Sequence, residues 1–126
     1  MKITDAFSGY SRSNIAACRE FYSKVVGLDV KDDMGGIGFK IGQQQVFIYP
    51  KQNHEPATYT ILNFVVDNIE ASVDELVQHG VTFERCDNMP ASQDERGIAR
   101  GKDTGHGPNI AWFKDPSGNI LSLVEK

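Results

Sequence analysis

Trp112-Phe113-Lys114-Asp115-Pro116-Ser117-Gly118-Asn119-Ile120-Leu121-Ser122-Leu123-Val124 is the stretch whose reading decides the fold. Pro116 pre-sets φ for a turn, Gly118 supplies positive φ, and Asp115 and Asn119 carry side chains short enough to bond nearby backbone groups. Runs of strand-forming residues flank that turn, so the segment reads as a β-hairpin. The second arm places Ile120, Ser122 and Val124 on one face and Leu121 and Leu123 on the other. Both faces are nearly apolar, and a covering layer is expected on each. Ser122 is the one polar interruption.

Outward from the hairpin, the same grammar is written twice. Thr58 to Val66 reads as a strand, Asp67-Asn68 as an N-cap, and Ile69, Val73, Leu76 and Val77 as a helical stripe. Gly80 closes that helix before a strand expected over Val81 to Arg85. Nearer the N-terminus, Ile3 to Ser11 suits a strand and Ser13-Asn14 an N-cap. Ile15, Cys18, Phe21, Tyr22 and Val25 fall at helical spacing up to Gly27. Next come Leu28-Asp29-Val30, a turn at Gly35-Gly36, a strand over Ile37 to Ile41, a turn at Gly42-Gln43 and a strand over Gln45 to Tyr49. Ser-Asn-Ile, eleven residues, Gly, Leu-Asp-Val in the first cycle matches Asp-Asn-Ile, ten residues, Gly, Val-Thr-Phe in the second. The chain is read as an α+β fold of two tandem βαβββ modules, 1–56 and 57–126, in a single domain. Half the chain, roughly 60 residues, buries little surface by itself, so each module needs the other.

Between Cys86 and Pro108 the periodicity fails. Asp87-Asn88-Met89-Pro90-Ala91-Ser92-Gln93-Asp94-Glu95-Arg96-Gly97 is polar and turn-rich, and a loop of that length in a compact domain is a candidate lid. A formal net charge of -4 with no dense Lys/Arg cluster argues against nucleic acid as a partner. No apolar run approaches the roughly 18 residues of a spanning helix, and the N-terminus has no apolar signal region. No membrane partner is expected, and the cytoplasm is the expected location. Cys18 and Cys86 share no CxxC or Cys/His spacing, so a structural disulfide is not expected.

The duplicated unit, the helix ending Phe21-Tyr22-x-x-Val25-Val26-Gly27-Leu28, the junction Val66-Asp67-Asn68-Ile69 and Trp112 to Asn119 together resemble the vicinal oxygen chelate superfamily. That superfamily includes glyoxalase I, extradiol dioxygenases, fosfomycin-resistance enzymes and bleomycin-resistance proteins. The resemblance implies two incurved four-stranded sheets forming an eight-stranded cup, commonly completed by a homodimer partner. It says little about the reaction, because the fold hosts many chemistries.

Metal enzymes of the superfamily take His and Glu ligands at positions that in this chain carry Phe7, a residue near Ile48, Ile61 and Ser122. Three of those are apolar and a lone serine hydroxyl is a poor ligand, so no metal and no cofactor are expected. With the ligands replaced, the cup becomes an apolar, aromatic cavity suited to a small organic molecule. Asn63 shares the inward parity of Ile61, and its amide is bonded either across the sheet or to a ligand. Trp112 offers a ring to stack on a planar or cationic ligand. His106, Arg12, Asp94, Glu95, Arg96 and Arg100 are candidates for charged contacts at the mouth. The leading expectation is a metal-independent binder that sequesters its ligand, with Phe7, Ile48, Ile61, Asn63, Trp112, Ser122 and His106 as the binding set. The alternative is a lyase or isomerase like glyoxalase I, using a metal or a loop-borne acid or base, with His106, Asp94 and Glu95 as candidate bases.

Overall fold

In the computed structural model, which describes residues 1–85 and 93–126, the duplication is visible as two sheets of the same strand order. The first is built from β1 (Ser8–Arg12), β2 (Lys31–Asp33), β3 (Gly36–Ile41) and β4 (Gln44–Pro50), with α1 (Ile15–Glu20) after β1. The second contains β5 (Thr60–Val65), β6 (Ala99–Arg100), β7 (Asn109–Lys114) and β8 (Ile120–Glu125), with α2 (Ile69–Gln78) after β5 and α3 (Gly101–Thr104) after β6. The orders are β1-β4-β3-β2 and β5-β8-β7-β6, and in each the outer first strand runs parallel to the last. By its contacts the chain divides into two compact units, Met1–Pro56 and Ala57–Lys126.

In the first unit Asn14 caps α1 by accepting from the Ala17 amide at 2.9 Å. The helix then widens into a π-helical segment, Phe21–Val25, that ends with the Val26 and Leu28 amides bonded back to the Phe21 and Tyr22 carbonyls. Tyr22 is wholly buried: its ring stacks on Phe39 at 5.5 Å, and its hydroxyl receives a 2.8 Å bond from Tyr10. Phe39 pairs with Val46 and Ile37 with Ile48, so these four line the face beneath α1 and form the unit's core. Burying each such side chain contributes about 1.5–3 kcal/mol.

In the second unit Asn68 caps α2 in the same way, through the Ala71 amide at 3.0 Å. Ile69, Val73 and Leu76, at i, i+4 and i+7, supply its buried stripe. The hairpin of β7 and β8 closes where the turn chemistry places it. Asp115 Oδ1 accepts from the Ser117 and Asn119 amides at 2.8 and 3.0 Å, Asn119 Nδ2 donates to Asp115 Oδ2 at 2.9 Å, and Gly118 takes φ 83°. Leu121, Ser122, Leu123 and Val124 are all buried, so β8 is covered on both faces.

Three expectations are corrected. The first strand begins at Ser8, and Phe7 precedes it. The segment Val81 to Arg85 is not a ladder strand; a bond from the Glu84 amide to the Trp112 carbonyl, 2.8 Å, ties it beside β7. The described part of the long loop is ordered by Asp94. Its Oδ1 accepts from the Arg96 and Ile98 amides, and its Oδ2 accepts from Arg100, which also bridges to Glu70 at 2.7 Å. Cys86 and the loop residues up to Ser92 lie outside the described residues. Among the described residues no helix is long and apolar enough to cross a membrane.

Glu125 joins the ends of the second unit. Its Oε2 accepts from the Ile69 amide at the start of α2, and its Oε1 accepts from Lys102 at 2.9 Å. Those bonds, the Ile69 amide first and then the Lys102 ammonium, hold its pKa below the ordinary 4.5. A carboxyl with a depressed folded-state pKa stabilises the fold above its unfolded value and stops doing so as pH falls through the folded one. Glu125→Gln is therefore expected to lower the urea midpoint at pH 7, with the gap to wild type shrinking below about pH 4.5. A constant gap from pH 7 to pH 3 would show that the charge at Glu125 contributes nothing.

Candidate ligand-binding faces

Each sheet has one face beneath its helix and one turned away from it. In the first unit the strand alternation puts Phe47 and Tyr49 on the far face. Their rings stack at 5.9 Å, and Phe7 sets its edge against Phe47 at 6.2 Å. Phe47 is flanked by Gly9 in β1 and Gly38 in β3, which leaves the ring free of neighbouring side chains on the ladder. Phe7 and Tyr49 are substantially exposed. The result is an aromatic shelf. At one end of this face Ser11 Oγ and His54 Nδ1 lie 2.7 Å apart, tying the segment after β4 to β1.

The far face of the second sheet is polar along a line. Trp112 pairs with Ser122, and Ser122 with Asn63, across β7, β8 and β5. Trp112 Nε1 donates to Thr60 Oγ1 at 3.0 Å, and Ser122 Oγ donates to Asn63 Oδ1 at 2.5 Å. Ser122 is wholly buried while Asn63 is exposed, so the serine fixes the amide and leaves Asn63 Nδ2 facing outward as a donor. Thr60, its oxygen already accepting, keeps its own hydroxyl proton to donate. Beside this strip lies a cavity of about 290 Å³ lined by Tyr59, Thr60, Glu84, Arg85, Trp112 and Lys114, among others. Lys114 pairs with Glu84 at 3.3 Å, and Arg85 donates to the Asp94 and Glu95 carbonyls, so the cationic rim is held in place.

Within this unit the structure brings Asn63, Trp112 and Ser122 together. Ile61 does not take the inward position expected of it. The β5–β8 register steps from Thr60 opposite Ile120 to Leu62 opposite Leu121, which makes Ile61 the extra residue of a bulge and gives its place on the far face to Thr60. Ile48 is corrected by one residue: it is fully buried under α1, and Phe47 and Tyr49 face outward instead. His106 does not line the Trp112 cavity. It follows α3, with Nδ1 2.9 Å from Thr104 Oγ1 and its amide bonded to the Gly101 carbonyl. Arg12 is no surface contact, being 1% exposed on the side of α1. Asp94 and Arg100 serve the loop. Burial works to raise the Asp94 pKa, but bonds from the Ile98 amide, Arg100 and the Arg96 amide outweigh it and leave the carboxyl below its ordinary range. Thr60, Glu84 and Lys114 were missed, because a bulge has no sequence signal of its own and the 81–85 segment carries no ladder.

A metal does not fit these residues. Among the described residues no three His, Cys, Asp or Glu side chains are grouped to hold one, and Ser122, the polar member of the aligned set, already donates to Asn63. The sequence matches the Glyoxalase/Bleomycin resistance protein/Dioxygenase superfamily over residues 8–123. The chain belongs to that superfamily. Solved structures agree with this glyoxalase-type fold along their whole length. A glyoxalase family protein from Bacillus anthracis superposes with a TM-score of 0.67 at 20% identity, covering 100% of this chain and 98% of its own. A glyoxalase family protein from Enterococcus faecalis gives 0.64 at 22%, covering 98% and 97%. TnmS3, an antibiotic binding protein from Streptomyces sp. CB03234, gives 0.63 at 18%, covering 99% and 98%. No curated protein matches this chain.

Proposed function

We propose that this glyoxalase-superfamily chain is a metal-independent binder of a small organic molecule, acting by sequestration, with two copies forming a homodimer. The observation that carries the reading is the strip in which Ser122 orients Asn63 and Thr60 anchors the Trp112 indole. Donors face outward beside a half-buried ring, an arrangement suited to a planar ligand carrying acceptor oxygens. The likeness to TnmS3, described as an antibiotic binding protein, supports a binding role.

Native mass spectrometry of gently purified protein, with calorimetric titration of any co-purified compound, tests this reading. Trp112→Ala and Asn63→Leu are each expected to weaken binding about tenfold, the effect of losing one buried contact or hydrogen bond, with the circular dichroism spectrum unchanged. Unchanged affinity in both variants would remove the strip from the site. A stoichiometric divalent ion would overturn the metal-independent reading.

A further inference from the structure

Arg12, in the first unit, carries a buried guanidinium two of whose nitrogens find no acceptor among the described residues. Arg12 ends β1, and its two-residue offset from Tyr10 puts it on the face beneath α1. Tyr10 meets Tyr22 through their hydroxyls. Cys18 of α1, itself fully buried, is near enough to act on Arg12 electrostatically. Arg12 is 1% exposed, and among the described residues its Nε and Nη1 have neither solvent nor a hydrogen-bond acceptor. A guanidinium does not give up its proton, and a lone charge out of water costs more than an ordinary hydrogen bond returns. The surroundings deepen the problem. Burial pulls the Arg12 pKa down, Cys18 works against that, and the neighbouring Arg19, a second cation, adds to it. Arg19 spends its own charge on Asp32, which is exposed.

The missing partner is an acceptor of negative charge, and the planar fork of a guanidinium matches the two oxygens of a carboxylate. The enclosed position limits its size. We propose that Arg12 is the receptor of an anion site that takes a compact monocarboxylate of the size of formate or acetate. The site is separate from the aromatic shelf, since Arg12 lies on the α1 side of its sheet and Phe47 and Tyr49 on the other.

Thermal unfolding in sodium formate against sodium chloride of equal ionic strength tests the proposal. Wild type is expected to rise by roughly 3–6 °C at saturating formate, following the linkage of ligand to stability. Arg12→Met, which removes the charge and keeps the bulk, is expected to be flat in formate and to start higher without it. Should Arg12→Met fail to fold, Arg12→Lys is expected to fold and to lose most of the formate response, because it lacks the fork. Broadening of the ¹³C-formate resonance by wild type, absent with the variant, reads binding directly. Equal responses in wild type and variant, or none in wild type, would overturn the site. So would a wild-type midpoint that climbs with chain concentration and ignores formate, because the acceptor would then belong to a second copy.

Discussion

Asp115→Ala is expected to lower the stability of the protein by about 3–4 kcal/mol, enough to bring the thermal midpoint down by roughly 10–15 °C. The side chain is buried and accepts three hydrogen bonds, from the Ser117 amide, the Asn119 amide and Asn119 Nδ2. Alanine removes both acceptor oxygens, and with them all three bonds, and leaves donors sealed in the turn, which is costlier than losing the bonds at the surface. Asp115→Asn keeps one oxygen and is expected to fall between the two. Urea unfolding followed by circular dichroism measures both. A loss below about 1 kcal/mol for the alanine variant would mean that the turn is set by Pro116 and Gly118 alone.

Gly36→Ala is the second large effect, for a reason of space. A Cβ built on Gly36 would run into the carbonyl oxygen of Ile48 and lie 3.0 Å from Phe47 Cε1. The obstructing atom is sheet backbone, which cannot swing aside as a side-chain tip can. A cost of about 3 kcal/mol or more is expected. The variant also presses on the ring at the centre of the aromatic shelf. Gly9→Ala is the control: its Cβ would meet the Phe47 carbonyl oxygen at 3.3 Å, and a loss under about 1.5 kcal/mol is expected. Equal losses in the two would show that glycine's backbone freedom, not the close approach, sets the cost.

Local chemistry made part of this structure readable. Asn14 and Asn68 announce caps, Gly27 and Gly80 stops, and Asp115 to Asn119 a hairpin, and each signal acts within a few residues of itself. The matching spacing of the two cycles carried the duplicated topology, because a repeated sequence repeats its pairings. The strand faces were harder. The resemblance located one position only as near Ile48, and in a strand one residue decides the face, so the outward positions fall to Phe47 and Tyr49. The bulge at Ile61 shifts the parity in β5, and it was the pairing of Asn63 with Ser122 that identified Thr60 as part of the strip. Arg12 could not have been placed from its type. A charged residue just past a strand reads as solvated, and only the burial beneath α1 shows otherwise.

The strand order of the two sheets also bears on how the protein is made. Each unit makes the parallel neighbour of its first strand, β4 or β8, last of its four strands. While a ribosome extends the chain, the opening strand must wait without its parallel neighbour, its donors and acceptors bonded to water or to chaperones. Contacts of long sequence separation form slowly, and an unpaired strand edge invites the wrong partner in the meantime. The interval before β4 or β8 emerges is thus the period in which each nascent unit is most open to mispairing.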